Sequence, residues 1–312
     1  MTATSHQDTD FEGHRRHLFA VAYRILGSVG DAEDVVQETW LRWSACDRAE
    51  VNDPRAWLTR IATRLAIDQW RWARRQRIDY VGSWLPEPVI EDDSPSPDSA
   101  SELAEDISIA LLLALERLGP EERAAFLLRE VFDVGYGEIA TTLSRSETAC
   151  RQMVTRARSR VARERPRFDV SPGEHARVVQ AFSQAVDDGD IETLTSLLTE
   201  DVQLWSDGGG KVAALRKPLF GSQAVIRALI GLARVQKGPP LVEARRVNGR
   251  LGLLLRTADG LRTLMGFQVR DGRISGLYLI RNPDKLGERA TPDGGGADGE
   301  RPDPQTRSRR SL

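Results

Sequence analysis

Residues 136–164, YGEIATTLSRSETACRQMVTRARSRVARE, decide how this chain is read. They carry the pattern of a short helix, a tight turn at Ser144-Arg145-Ser146, and a long basic helix. Ser146 suits an N-cap and Glu147 the first turn, where a carboxylate meets the positive end of the helix dipole. Stepping about 100° per residue from Cys150 places Met153, Val154, Ala157 and Val161 on the same face. Thr148, Gln152, Thr155, Ser159 and Arg163 fall opposite, with Arg151 and Arg156 beside them. Such a long-reaching, polar and cationic face suits base edges and phosphates in a major groove. A solvated amphipathic helix has the same periodicity, so the rest of the chain must decide between the two.

The net charge of −2 over 312 residues hides strong segregation. Residues 57–77 hold six Arg and one Asp, and residues 147–165 hold six Arg and two Glu. Between them, residues 78–116 hold ten acidic groups and no Lys, Arg or His. Two basic blocks flanking an acidic one suggest polyanion binding at two places, with a segment of opposite sign able to cover them. The two cysteines, Cys46 and Cys150, are far apart, and residues 1–10 lack an apolar core of the secretory type. The longest apolar run, around Ile107–Leu115, is shorter than the ~20 residues a bilayer demands. The expectation is a cytoplasmic, soluble protein with reduced thiols and no membrane contact. Cys150 is expected to pack, because it lies on the apolar side of its helix.

Along the chain, residues 11–77 read as three helices: one over Phe11–Leu26 stopped by Gly27, one capped by Asp31 and running to Ser44, and one opened by Asp53-Pro54. Residues 78–102 are an acidic Pro/Ser linker with one apolar island, Trp84-Leu85-Pro86, expected to dock. Residues 103–165 read as four helices. After Pro166 the pattern changes to helices over 174–187 and 191–198, a short strand over 202–206, and a helix over 223–235. Four strand-like runs then follow, divided by Asn248-Gly249, Asp259-Gly260 and Asp271-Gly272. This predicts an α+β domain over 174–285 with helices first and an antiparallel sheet after. Residues 286–312 lack periodicity and are expected to be disordered.

Two further helices carry chemistry. In the third helix, Arg60, Arg64, Ile67, Arg71, Arg74 and Arg75 share one side, and Trp70 borders the stripe. Cations beside an aromatic suit a single strand, whose phosphates want neutralising and whose bases want a stacking surface. In the second helix, Val36, Trp40 and Trp43 make the apolar side, while Asp34, Gln37, Glu38 and Leu41 make an outer strip. A strip of that sign repels DNA and suits a protein partner.

These segments resemble a known family. DAEDVVQETWLRWSA resembles the core-enzyme-binding helix of bacterial sigma factors of the extracytoplasmic-function group. PRAWLTRIATRLAIDQWRWARR resembles their promoter-melting, −10-reading helix, and residues 115–161 resemble their −35-reading domain. WLPEP in the linker, DGGGK at Asp207–Lys211 and NPDKL at Asn282–Leu286 resemble a subgroup with a fused SnoaL-like domain of the NTF2-like fold. The fold class implied is multidomain: two all-α sigma domains, region 2 over 11–77 and region 4 over 103–165, followed by an α+β NTF2-like cone over 174–285.

The resemblance implies a dissociable, non-catalytic subunit of RNA polymerase that uses no cofactor and no metal. Asp34, Gln37, Glu38 and Leu41 would meet the coiled coil of the largest polymerase subunit. The loop Asp47–Asp53, with Arg60, Arg64, Trp70, Arg71, Arg74 and Arg75, would hold the opened −10 strand of promoter DNA with an unstacked base in a pocket. Ser146, Thr148, Arg151, Gln152, Thr155 and Arg156 would read the −35 element. The C-terminal domain would be an intramolecular regulator, and no separate anti-sigma factor is required. In that role Asp207, Gly208, Gly209 and Gly210 would approach Trp84, Leu85 and Pro86, since three successive glycines permit close backbone approach; a plain flexible loop is the alternative.

Two other readings stay open. In one, a DNA-binding sensor or NTF2-like enzyme takes a small-molecule ligand in the C-terminal cavity, with Arg281 and Tyr278 as candidate lining residues. In this domain His175 is expected to be solvent-exposed and Asp207 to serve the backbone of a glycine turn. The other is an ordinary dimeric repressor, which has no use for the arginine helix or the acidic strip.

Overall fold

The structure is a computed structural model and describes residues 3–91, 107–164, 170–235 and 238–287. Helix α1 (Ala3–Leu26) stops at Gly27, whose φ of +68° only glycine adopts without strain. Helix α2 (Val29–Ala45) is capped by Ser28, not by Asp31. The extended backbone of Ser28 lets its hydroxyl accept from the Asp31 amide at 3.3 Å, which leaves Asp31 inside the first turn. Helix α3 (Pro54–Gln76) starts as its sequence dictates, with the Asp53 carboxylate accepting from the Ala56 amide at 3.0 Å and Pro54 in the first turn.

Four helices follow the linker: α4 (Ile109–Leu115), α5 (Pro120–Glu130), α6 (Tyr136–Leu143) and α7 (Glu147–Glu164). Ser144 ends α6 in the left-handed region, and the Ser146 hydroxyl caps α7 by accepting from the Ala149 amide at 3.2 Å. The two helical segments share one buried cluster. Leu18, Ile25, Trp43, Leu58 and Ile67 from the first meet Leu112, Phe126, Ile139, Cys150 and Val154 from the second. Helix α1 packs on α2, α3 and α5, and α3 also packs on α5 and α6. Each large apolar side chain in that cluster contributes about 1.5–3 kcal/mol relative to exposure.

The C-terminal part runs α8 (Pro172–Asp187), α9 (Ile191–Leu197), β2 (Leu198–Asp207), β3 (Leu219–Phe220) and α10 (Ser222–Val235). A meander of β4 (Leu241–Val247), β5 (Arg250–Arg256), β6 (Arg262–Arg270) and β7 (Arg273–Ile280) completes it. Asn248-Gly249 and Asp271-Gly272 make the tight turns, all four residues at positive φ. Among the described residues the sheet order is β1-β4-β5-β6-β7-β2-β3.

The sheet departs from the all-antiparallel expectation in two ways. Strand β7 returns beside β2 in the same direction, with Leu204 opposite Leu277, so the sheet is mixed. The first strand, β1 (Ile90–Glu91), comes from the linker and pairs antiparallel with β4, Ile90 opposite Val247.

Alternation along the strands builds two layers. Leu204, Leu253, Met265, Leu277 and Leu279 face Val179, Phe182 and Val225 of the helices. Leu254, Leu264, Tyr278 and Ile280 face the other way, where linker residue Leu85 and α4 residue Ile109 cover them. The helix-covered face is the inner one, and the face covered by Leu85 and Ile109 is the outer one. The tail expected to be disordered lies outside the described residues beyond Gly287, as do linker residues 92–102.

Candidate nucleic-acid interface and linker anchor

On α7, Thr148, Arg151, Gln152, Thr155 and Arg156 are exposed together with Ser146. The arginines are steadied by their own domain. Arg151 lies 3.2 Å from Glu147 and 4.2 Å from the Tyr136 ring centroid, and Arg156 lies 3.2 Å from Glu122. Such exposed pairs contribute about 0–1 kcal/mol, so they orient the side chains without locking them. Cys150 is fully buried on the opposite face.

On α2, Asp34, Gln37 and Leu41 are exposed, and Glu38 pairs with Arg42 at 3.0 Å. Trp40, read from sequence as part of the apolar side, is 38% exposed and stands next to Leu41 at 49%. Trp43 alone of that pair reaches the core, because the helix turns Trp40 away from α1 and α3. The outer strip is therefore more apolar than its sequence reading, and suits a protein partner all the better.

On α3 the arginines hold on to the chain's own second helical segment. The Arg64 guanidinium donates from Nε to the Thr142 carbonyl at 2.8 Å and from Nη2 to the Thr141 carbonyl at 2.8 Å and the Ser144 hydroxyl at 3.3 Å. The two carbonyls are orphans at the C-terminus of α6, which a cation complements. Arg71 bridges Asp68 and Glu121, and Arg74 donates to the Glu116 carbonyl at 3.2 Å. Arg60 and Arg75 make no side-chain hydrogen bond among the described residues. Trp70 corrects the sequence reading. At 4% exposure it belongs to the helical core, and Arg74 sits over its ring, 4.9 Å from the centroid. It is not an open stacking surface, because α3 packs that side on α5. The loop after α2 faces α6 across an open cleft of about 690 Å³, lined by Asn52, Arg55 and Arg60 on one side and by Phe132, Glu138 and Thr141 on the other.

The linker is anchored at Asp207, which is fully buried. Its carboxylate accepts from the Tyr80 hydroxyl at 2.5 Å, the Leu85 amide at 2.9 Å, the Gly209 amide at 3.0 Å and Lys285 Nζ at 2.7 Å. Lys285 also donates to the Leu85 carbonyl and sits 4.4 Å from the Trp84 ring centroid. Arg77 stacks on Trp84 at 3.6 Å. Pro86 and Leu85 are buried, Leu85 completely. A Cβ on Gly209 would overlap the Asn282 side chain, one on Gly208 the Val212 carbonyl, and one on Gly210 would lie 3.3 Å from Val81. All three glycines therefore sit at close approaches, but to Val212, Asn282 and Val81 and not to Trp84, Leu85 and Pro86, which the loop reaches through the Asp207 side chain.

Burial lowers Lys285 to about 8 despite the attraction of Asp207. Burial, then the hydrogen bond to Asp207, raises the Tyr80 phenol above its ordinary range. The expected backbone role of Asp207 is thus only part of the picture. Its carbonyl does accept from the Arg281 and Asn282 amides, at 2.7 and 3.0 Å, while its side chain ties the linker.

Sequence reasoning missed Glu87, Tyr80, Lys285 and Asn248. Glu87 reaches from the linker to α2, accepting from the Val29 amide at 2.8 Å and the Ser28 hydroxyl at 3.1 Å. Asn248 bonds Val89 through its backbone amide and its side-chain oxygen, and donates to the Tyr23 hydroxyl at 2.8 Å. Glu87 and Lys285 lie inside the WLPEP and NPDKL stretches, which was the available signal. His175 is buried, not exposed: α8 turns it onto the sheet, where its Nε2 meets the Phe267 carbonyl at 3.3 Å and burial lowers its pKa. Tyr278 is buried on the outer face beside Gln268, which it reaches at 2.9 Å. Among the described residues no helix is long and apolar enough to cross a membrane, and no group of three or more acidic, His or Cys side chains is placed to hold a metal.

Comparison with known proteins adds the following. Residues 11–77 match the model for Sigma-70 region 2, and residues 108–161 match Sigma-70 region 4. The ECF RNA polymerase sigma factor SigJ of Mycobacterium tuberculosis is 41% identical over 290 residues, 89% of this chain and 92% of that protein. A probable ECF RNA polymerase sigma factor, SigI of the same species, is 30% identical over 92% of this chain and 97% of its own length. The crystal structure of M. tuberculosis SigJ superposes with a TM-score of 0.75 at 37% identity, covering 89% of this chain and 97% of that one.

Proposed function

The chain belongs to the extracytoplasmic-function sigma factors of RNA polymerase, and on that premise we propose that its structure is the closed form of a factor carrying its own controller. As a sigma factor it partners core polymerase and promoter DNA. The strip Asp34, Gln37, Glu38 and Leu41, with Trp40, docks on the coiled coil of the largest polymerase subunit. Ser146, Thr148, Arg151, Gln152, Thr155 and Arg156 read the −35 element. Arg60, Arg64, Arg71, Arg74 and Arg75 hold the melted −10 strand, and Trp70 supports them from the core. The C-terminal domain is a non-catalytic regulator of SnoaL-like type, and the chain acts in the cytoplasm without a separate anti-sigma factor.

The observation that carries this reading is the Arg64 fork on the turn of the helix-turn-helix. A guanidinium meant for a phosphate is occupied by the chain's own −35 reader, so the two promoter elements cannot both be engaged until that fork opens. The Asp207 anchor holds the linker while it stays shut. The Arg64 contact is made of hydrogen bonds at the surface of the helical body, which a polyanion releasing its counterions can outcompete. Two candidate bases are already engaged: His175 Nε2 by the Phe267 carbonyl, and Asp207 by the linker and Lys285.

Run-off transcription with core polymerase on the promoter upstream of the chain's own gene tests the proposal. The full chain directs a specific transcript, and Asp207→Asn changes its yield while affinity for core stays the same. If neither the wild type nor Arg64→Ala yields any transcript with core at low salt, the closed-form reading is wrong. A second reading, in which a small molecule sets the state of the controller, is favoured by the buried Arg281, whose Nε has no hydrogen-bond partner at the edge of a cavity.

A further inference from the structure

A cavity of about 530 Å³ opens where β5 and β7 end and β6 begins. Leu232, Leu261 and Leu286 line it together with Arg281 and Arg262. Arg281 continues the alternation of β7 after Leu277 and Leu279, so its side chain falls on the inner face. It is only 8% exposed, yet its Nε has no hydrogen-bond partner. Its Nη1 donates to the Ala213 carbonyl. The carboxylate that acts on it through space is Asp259, at the exposed tip of the β5–β6 hairpin and bonded to the Thr257 hydroxyl. A guanidinium this buried is ordinarily paired. Here an unused donor borders a cavity whose other walls are largely apolar.

The far side of Leu232 continues the theme. A second cavity of about 360 Å³ shares that residue and is walled by Phe182, Leu229, Leu255 and Met265. Among the described lining residues, Arg281 and Arg262 stand against Asp259. A doubly charged phosphate would be under-neutralised there, and a metal cation would be repelled. A planar carboxylate matches the guanidinium fork, and leucines on both sides match a hydrocarbon body.

We propose that the C-terminal domain binds an amphipathic organic acid, with its carboxylate on Arg281 beside Arg262 and its hydrocarbon chain along Leu232. The ligand sits one peptide from the linker anchor, since the Arg281 amide itself donates to the Asp207 carbonyl. Its regulatory meaning rests on the closed-form reading given above; its binding does not.

The test is fluorescence titration of the full chain with cis-parinaric acid, a fluorescent long-chain polyene acid, and with its methyl ester. The acid binds saturably, one per chain, and the uncharged ester binds at least about tenfold more weakly. Arg281→Gln weakens the acid by about tenfold and leaves the ester unchanged, and Arg281→Lys restores part of the loss. The acid-to-ester ratio is read in the unaltered protein, so it stands even if a variant folds poorly. No saturable binding, equal affinity for acid and ester, or an Arg281→Gln protein that binds acid like the wild type would each overturn the proposal. Transcription assays are not involved, so failure here and failure of the closed-form reading are told apart.

Discussion

Lys285 Nζ lies 2.7 Å from Oδ2 of Asp207, and the pair closes the linker onto the C-terminal domain with both side chains out of water. Removing one partner of a buried pair leaves the other charge uncompensated, which typically costs about 3–5 kcal/mol. Asp207→Ala is expected to fall in that range in urea denaturation.

The same pair has a pH signature. Burial holds Lys285 at about 8, below its ordinary 10.5, so the neutral amine is the form the folded protein tolerates better. Between those two values the unfolded chain binds more protons than the folded one, so this group's contribution to stability rises with pH across the window and is least favourable below it. Relative to Lys285→Met, the wild type is expected to gain about 2–3 kcal/mol between pH 8 and pH 10. Urea melts of both proteins at several pH values measure the difference, and parallel curves would contradict it.

Gly209 and Gly189 make a controlled comparison. Both have positive φ, +62° and +66°, so alanine at either carries a backbone penalty of about 1–2 kcal/mol. A Cβ at Gly189 meets nothing, whereas one at Gly209 overlaps Asn282. Gly209→Ala is expected to lower the melting temperature clearly more than Gly189→Ala. Equal shifts would mean that the loop does not depend on close approach.

Arg64 is the clasp between the two helical segments. Arg64→Ala removes three donors to α6 and its turn, and is expected to shift the population toward an extended form. Small-angle scattering reports this as a larger radius of gyration. Arg64→Lys cannot form the fork and is expected to behave more like alanine than like wild type. Unchanged scattering from both variants would remove Arg64 from the role given to it.

The residues proposed to face DNA divide by what they would touch. Gln152→Ala is expected to relax −35 preference by about 1–3 kcal/mol at the base it reads. Arg75→Ala is expected to weaken binding to all promoters alike and to reduce the salt slope by about one phosphate contact. Holoenzyme binding to wild-type and −35-substituted promoters across a salt series separates them. Identical behaviour of the two variants would refute both assignments.

Much of this was legible in the sequence because it was local. Asp53-Pro54, Ser146 and the Asn-Gly and Asp-Gly turns act through their own backbone, so their elements start and stop where the residues dictate. The exposure of the α7 reading face follows from spacing alone. What sequence did not yield was set across long separations. Trp70 and Trp40 both have indole side chains at helical spacing, and only the packing of α3 and α2 against their neighbours buries one and exposes the other. The parallel pairing of β2 with β7 depends on where the last strand returns, which no single run encodes. Tyr80 and Lys285 lie 127 and 78 residues from Asp207, too far for periodicity to connect them.

Strand β1 also limits how the protein can be divided. Ile90 and Glu91 occupy the border of β4, and Leu85 plugs the sheet behind them. A C-terminal fragment cut anywhere after residue 91 would lose that border and bare the Arg246–Val247 end of β4, adding to an edge on which strands from other molecules can pair. A C-terminal fragment freed of the linker is therefore expected to self-associate, which ties that domain to the helical segments of its own polypeptide, one to one.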